Sequence, residues 1–272
     1  MLDTVNTAPD YAAIKAKQNV AWSSGDYSKI GTTLQIVGEQ LCEAIDLSAG
    51  SSVLDIAAGN GNFTLAAARR FADVTSTDYV PELLEASKLR AEAEGHQIAF
   101  QKADAENLPF EDNLFDVVAS TFGIMFVADH DTAAREMARV CRHGGTIAMA
   151  NWTPQGFIGQ VFKTIGKYVP PAPGMRSPAL WGTSEALNDM FGDEVNSIEI
   201  TSQFFNFRYF SADHFMDYFK TWYGPVLKAF AAAGDRADEL EADMRDLLNR
   251  FNTATDGTLI IPSEYVEVII QK

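Results

Sequence analysis

Cysteine and histidine, the residues that most often bind metals or form disulfides, are scarce in this chain. The 272 residues include two cysteines, Cys42 and Cys141, and four histidines. Two cysteines so far apart give neither the paired spacing of a zinc site nor a disulfide framework. We therefore predict no metal site, and we interpret both cysteines as reduced packing residues of a cytoplasmic protein.

Basic residues are also scarce, because 21 lysines and arginines face 37 aspartates and glutamates and leave a formal net charge of −16. Proteins that bind nucleic acid need a basic surface to neutralise phosphates, and anionic membranes attract the same kind of surface. We therefore expect neither nucleic acid nor membrane as a partner. The acidity itself is typical of a protein that stays in solution.

Long apolar runs are absent as well. No segment approaches the roughly 20 apolar residues that a membrane-spanning helix needs, and residues 1–6 lack the basic segment and apolar core of a secretion signal. Apolar residues still make up 47% of the chain, which is enough for a substantial core. The length suits one generous α/β domain, or a core with an added cap.

The most informative stretch that is present spans residues 53–62. A short apolar run ends in Asp55 and continues through small residues to Gly59 and Gly61, and good helix formers follow from Phe63. This order predicts a strand, a tight turn and a helix. Glycine allows backbone angles closed to other residues, and the free N–H groups at a helix start can face a ligand.

Strands and helices alternate around this turn. We predict helices at 11–22, 31–45, 81–94 and 131–140, and further strands at 74–78, 98–103, 115–120 and 146–151. Such alternation favours right-handed βαβ units and a parallel sheet. Ligands bind beyond the carboxyl ends of the strands in these sheets, so the residues after each strand are the candidates for a site.

From Pro154 the alternation lapses and aromatic residues become dense. We predict a short helix at 185–191, strand character over 195–209, a helix that Ser211 caps, and an acidic amphipathic helix at 236–251. Residues 258–261 and 265–270 look like a closing β-hairpin element. We interpret the region as a cap inserted before the last strand.

Taken together and in order, these motifs resemble the class I S-adenosylmethionine-dependent methyltransferases, in the group that includes ubiquinone- and menaquinone-biosynthesis enzymes. The resemblance covers about residues 11–151 and the closing strand. It implies an α/β, Rossmann-like, seven-stranded and mostly parallel sheet with helices on both faces. The regions would be N-terminal helices over the cofactor at 1–50, an S-adenosylmethionine-binding core at 51–153, and a substrate cap with closing strands at 154–272.

The resemblance also implies a cofactor site. Asp78 would accept hydrogen bonds from both ribose hydroxyls, Asp104 would accept one from the adenine amino group, and Trp22 would cover the cationic sulfonium with an aromatic face. Gln18 and Tyr27 are further candidates for that cover. The full set of cofactor-binding residues is Trp22, Asp55, Ala57, Gly59, Gly61, Asp78, Tyr79, Asp104, Ala105, Ser120 and Phe122.

Two positions depart from the family's glycine-rich loop, which has glycines where this chain has Ala57 and Asn62. At position 57 an alanine is a mild change if the backbone there stays at negative φ. Asparagine tolerates left-handed angles better than most residues.

The acceptor side is predicted from the aromatic second half of the chain. We expect an apolar pocket over the sulfonium that includes Trp152, Phe157, Tyr218 and Trp222, and His214 is the histidine best placed to act as a base. A small, fairly hydrophobic or aromatic acceptor would then be methylated by in-line displacement, for which orientation can suffice without a base. The sequence leaves open whether the protein forms a homodimer.

Two other classes of function fit parts of the pattern. A nicotinamide-dependent dehydrogenase would need a third glycine in G-x-G-x-x-G, but Thr64 stands at that position. A protein that binds S-adenosylmethionine without transferring its methyl group would retain the same cofactor residues. A P-loop is excluded because no Gly-Lys-Ser/Thr occurs.

Overall fold

A computed structural model describes residues 9–192 and 194–272 of the chain. Seven strands form one sheet in the order β3-β2-β1-β4-β5-β7-β6. The first five strands in this order are parallel to one another, and β7 runs antiparallel to both β5 and β6. The strands are β1 (Ser52–Ile56), β2 (Asp73–Asp78), β3 (Ala99–Lys102), β4 (Phe115–Thr121), β5 (Cys141–Trp152), β6 (Ser197–Tyr209) and β7 (Leu259–Gln271).

Helices cover both faces of the sheet and its carboxyl-end edge. They are α1 (Tyr11–Trp22), α2 (Tyr27–Gly31), α3 (Gln35–Ala44), α4 (Asn62–Arg69), α5 (Pro81–Glu94), α6 (His130–Val140), α7 (Phe157–Gly166), α8 (Ser184–Phe191), α9 (Ala212–Trp222), α10 (Gly224–Ala233) and α11 (Ala237–Phe251). The predicted α/β fold class and mostly parallel sheet are confirmed. Among the described residues, no helix is both long enough and apolar enough to cross a membrane.

The core lies on the two faces of the central strands. On one face, Val53, Val117 and Ala148 pack with residues of α3 and α4. On the other, Leu54, Val118 and Ile147 join a larger cluster that continues under the later helices. Both faces of β1 and β4 are therefore buried, which is why these strands read as continuous apolar runs.

The second half of the chain is more regular than the sequence predicts. The prediction of a closing hairpin is wrong, because β7 is one continuous strand through Pro262. Proline is tolerated there because β5 pairs with β7 only as far as Tyr265, so no strand of the ladder lies beside Pro262 on that side. Helices α7 and α10 were not predicted. The helices α9–α11 lie between β6 and β7, where the cap was expected; the division into three regions stays a prediction.

Candidate functional site

A cavity lies at the carboxyl ends of β1, β2 and β4, covered by α1 and α2. It encloses about 890 Å³, part of which is open to solvent. Eight of the eleven predicted cofactor residues line it: Trp22, Ala57, Gly59, Asp78, Tyr79, Asp104, Ala105 and Phe122. The topology explains the convergence, since parallel strands deliver their carboxyl ends to one edge of the sheet.

The turn after β1 is built from left-handed backbone. Gly59 has φ 57° and Gly61 has φ 84°, as a tight turn between a strand and a helix requires. Ala57 also has a positive φ, of 51°, so the condition under which an alanine is a mild change there is not met. An alanine held there costs about 1–2 kcal/mol. The carbonyl oxygen of Ala57 lies 2.1 Å from the position that a Cβ atom on Gly123 would occupy. The turn and the segment after β4 therefore hold one another in place.

Asp78, the last residue of β2, lines the cavity as a hydrogen-bond acceptor. Its Oδ2 accepts a hydrogen bond from the Gly59 N–H at 2.9 Å, and its Oδ1 accepts one from the Val80 N–H at 2.9 Å. Burial raises the pKa of Asp78 to about 6, although these backbone donors oppose the rise. Each carboxylate oxygen keeps a lone pair for a further donor.

Three predicted cofactor residues lie outside the cavity, which corrects their roles. Asp55 is buried, and its Oδ2 accepts hydrogen bonds from the Thr64 N–H at 2.9 Å and hydroxyl at 2.6 Å. Gly61 packs against Ser87, and Ser120 donates to the carbonyl of Ile56 at 2.7 Å. All three hold the turn and the strand ends in place instead of facing a ligand.

Of the buried polar atoms near this turn that have no partner among the described residues, two belong to the segment that carries the turn. One is a donor, Asn60 Nδ2, on a residue that lines the cavity and is 1% exposed. The other is an acceptor, Asp55 Oδ1, beneath the turn. Burial raises the pKa of Asp55 to about 7, despite the donors from Thr64. Because buried polar groups are rarely left unpaired, the Asn60 amide, on a residue that lines the cavity, suits a ligand that carries a carboxylate, whereas Asp55 lies outside the cavity.

Aromatic side chains form the opposite part of the cavity. The ring of Trp22 lies 5.6 Å from Tyr27 and 4.8 Å from Phe126, each in an edge-to-face arrangement. Phe122 lines the cavity and stacks on Trp152 behind it, with centroids 3.9 Å apart. Aromatic faces attract a cation such as a sulfonium. Tyr27 had been noted from sequence, whereas Phe126 was missed because only the fold brings it close.

A charged cluster occupies the part of the cavity after β3. Lys15 Nζ lies 2.7 Å from Asp104 Oδ2 and 2.9 Å from Glu106 Oε2. Glu106 Oε1 in turn accepts hydrogen bonds from the N–H groups of Ala128 and Asp129. Lys15 and Glu106 line the cavity and were missed from sequence. Their partners lie far along the chain, so no local pattern could reveal them.

None of the predicted acceptor-side residues lines this cavity, which is a second correction. Trp152 and Phe157 are buried in the core behind Phe122, and Trp222 is half-buried against the same core. His214 and Tyr218 line a separate groove with residues of α3 and β6, and His214 Nδ1 accepts a hydrogen bond from the Phe210 N–H at 3.3 Å. His214 is therefore not placed to act on a group in the cavity.

Comparison with known proteins agrees with this geometry. A family model described as "Methyltransferase domain" matches residues 54–149, which include the glycine turn and β1 to β5. The chain is 37% identical over 276 residues to the uncharacterised protein Rv1405c of Mycobacterium tuberculosis, with 99% of both chains covered. It is 35% identical over 135 residues to the demethylmenaquinone methyltransferase of Thermus thermophilus, with 47% of this chain and 61% of that one covered.

The fold is shared with solved structures at lower identity. The YcgJ protein of Bacillus subtilis superposes with a TM-score of 0.59 at 18% identity, covering 89% of this chain and 99% of that one. Together with the matched domain and the cavity at the strand ends, these similarities show that the chain belongs to the class I S-adenosylmethionine-dependent methyltransferases.

Proposed function

We propose that this enzyme methylates a small, fairly hydrophobic or aromatic molecule by in-line displacement. The observation that carries the proposal is the division of one cavity into two chemically different parts. One part offers a carboxylate at Asp78 and an unpartnered amide donor at Asn60. The other part is aromatic and is walled by Trp22, Tyr27 and Phe122. Polar groups suit the ribose and amino-acid ends of the cofactor, and aromatic faces suit a cationic sulfur beside an apolar acceptor.

The residues of the cavity would hold the cofactor as follows. Asp78 would accept hydrogen bonds from the ribose hydroxyls, and Asn60 Nδ2 would donate to the carboxylate of the amino-acid end. Asp104 and the N–H of Ala105 would contact the adenine. These roles use the free lone pairs of Asp78 and the one unpaired donor of Asn60, so no existing hydrogen bond has to break.

When bound, S-adenosylmethionine supplies an electrophilic methyl group on a positively charged sulfur. Trp22 and Tyr27 exclude water from the aromatic part of the cavity, and their faces favour the cation. Phe122, fixed by its stack on Trp152, limits where an acceptor can lie. The carboxylates that line the cavity, Asp78, Asp104 and Glu106, all have hydrogen-bond partners in the polar part. Orientation therefore carries the reaction in this proposal.

A methyl-transfer screen tests the proposal. The protein is incubated with S-adenosylmethionine labelled in its methyl group and with separate panels of phenols, amines and acidic carbon compounds. We expect label to pass to members of a panel with an aromatic or apolar body, and not to small polar amines. Binding of S-adenosylmethionine at one site without transfer to any panel would favour the non-methylating alternative.

The affinity for S-adenosylhomocysteine should depend on pH through Asp78. Burial raises the pKa of this carboxyl to about 6 in the free protein, and ribose hydroxyls that donate to it favour the ionised form, so binding lowers that pKa. Affinity is therefore expected to be constant above about pH 7 and to fall roughly tenfold by pH 5, as Asp78 takes up a proton. Isothermal titration across this range measures it. An affinity that rises toward pH 5 would contradict the role of Asp78.

The free protein should respond to pH in the opposite direction. A carboxyl with a raised folded-state pKa stabilises the fold below its unfolded value, and that stabilisation is lost as pH rises through the folded value. Burial raises the pKa of Asp55 to about 7 and that of Asp78 to about 6. Thermal melts should therefore show these groups weakening the free protein as pH rises from about 4 to about 7, while S-adenosylhomocysteine raises the melting temperature more at the higher pH.

A further inference from the structure

Helix α1 is held over the cavity by polar contacts as well as by the aromatic packing of Trp22. Of its 12 residues, Ile14 alone is buried in the core. Lys15, Gln18 and Trp22 line the cavity, at spacings that place them on one face of the helix. An element with so little buried apolar surface opens at low free-energy cost.

The polar contacts of α1 reach the segments that follow β2, β3 and β4. Asn19 Nδ2 donates to the carbonyl of Tyr79 at 3.3 Å. Gln18 Nε2 donates to the carbonyl of Phe126 at 2.8 Å. Lys15 Nζ bridges Asp104 and Glu106, and Glu106 holds the N–H groups of Ala128 and Asp129. Lys15 therefore connects the covering helix to both the end of β3 and the loop that borders the cavity.

The ion pairs of Lys15 differ in their surroundings from an exposed surface pair. Of the residues that line the described cavity, Lys15 is the one lysine or arginine, and it faces two carboxylates at hydrogen-bond distance. The Glu106 side chain is 6% exposed, so water screens this pair less than an exposed one. Burial alone would lower the pKa of Lys15, but hydrogen bonds to Asp104 and Glu106 outweigh it and hold that pKa above its ordinary value.

We propose that Lys15 is a positioning residue that latches α1 over the bound cofactor and orients the Asp104 carboxylate toward the adenine amino group. The inference rests on the proposed cofactor site. Asp104 Oδ1 accepts the N–H of Glu106 at 3.0 Å and Oδ2 accepts Lys15, so both oxygens are held in one direction. Release of the ion pairs frees α1, and the rate of that release limits how fast the cofactor leaves.

The test compares three variants by the dissociation rate of S-adenosylhomocysteine, followed by stopped-flow tryptophan fluorescence. Lys15→Met should raise the rate about tenfold, because two charge-assisted hydrogen bonds are lost. Lys15→Arg should stay within about threefold of wild type, since a guanidinium can also bridge two carboxylates. Lys17→Met is the matched control, because Lys17 is exposed two positions further along α1, and it should leave the rate unchanged.

Two further readouts separate a latch from a loss of helix stability. Raising sodium chloride to high concentration should speed dissociation from wild type but not from Lys15→Met. In a double-mutant cycle, Lys15→Met and Asp104→Asn together should cost less than the sum of the two single effects, because Lys15 acts partly through Asp104. Additive effects, or an equal salt response in both proteins, would overturn the proposal.

The failure of the latch and the failure of the cofactor site give different results. If wild type does not bind S-adenosylhomocysteine, the cofactor site itself is wrong. If wild type binds it and Lys15→Met releases it at the wild-type rate, the site stands and the latch is wrong.

Discussion

Replacing Asp78 with asparagine is expected to lower the affinity for S-adenosylhomocysteine by about a hundredfold. Hydrogen bonds to a charged acceptor are stronger than those to a neutral one, and Asp78 would accept two of them from the ribose. The amide also loses one of the two oxygens that now hold the N–H groups of Gly59 and Val80. Isothermal titration calorimetry measures the change directly.

The matched control is Asp73→Asn, at the exposed start of the same strand β2. It removes an equal charge from the same strand and should leave the affinity within about twofold of wild type. Asp78→Asn should still fold, because burial raises the pKa of that carboxyl and the neutral amide avoids the cost of a buried charge. A folded Asp78→Asn protein that binds as well as wild type would refute the assigned ribose site.

Replacing Trp22 with alanine is expected to weaken the binding of S-adenosylmethionine more than that of S-adenosylhomocysteine. The aromatic face of Trp22 attracts the sulfonium, whereas the product carries a neutral sulfur, so the ratio of the two affinities should fall about tenfold. Trp22→Phe keeps an aromatic face and should retain most of the ratio. Titrations with both ligands give the two dissociation constants.

Trp222→Ala serves as the comparison for this change, because Trp222 is a half-buried tryptophan that does not line the cavity. It removes the same side chain and should leave the ratio of the two affinities unchanged. If Trp22→Ala weakened both ligands equally, Trp22 would be a packing residue and not a cover for the sulfonium.

The meeting of most candidate cofactor residues at one cavity could be predicted because their placement follows from topology. Once β1, β2 and β3 are known to be parallel, Gly59, Asp78 and Asp104 must meet at one edge, whatever the packing beneath them. The same rule applies to Phe122 after β4. The prediction needed only the order of the strands and the residues that end them.

The remaining errors concern orientation and long-range contact. The positive φ of Ala57 comes from its close contact with Gly123, and Lys15 meets Asp104 across 89 positions of sequence. His214 lies on a helix that was predicted, but its ring turns toward β6 and not toward the cavity. Local pattern fixes neither which face of α9 is inward nor which distant charges pair.

Hydrogen exchange with and without S-adenosylhomocysteine tests the cofactor site most directly. We expect added protection in four segments, 11–22, 57–62, 78–80 and 103–106, which together surround the cavity. Residues 204–218, which contain the groove with His214, should exchange at the same rate in both states. Protection confined to that groove, or the absence of added protection at 57–62 and 78–80 under saturating ligand, would contradict the account.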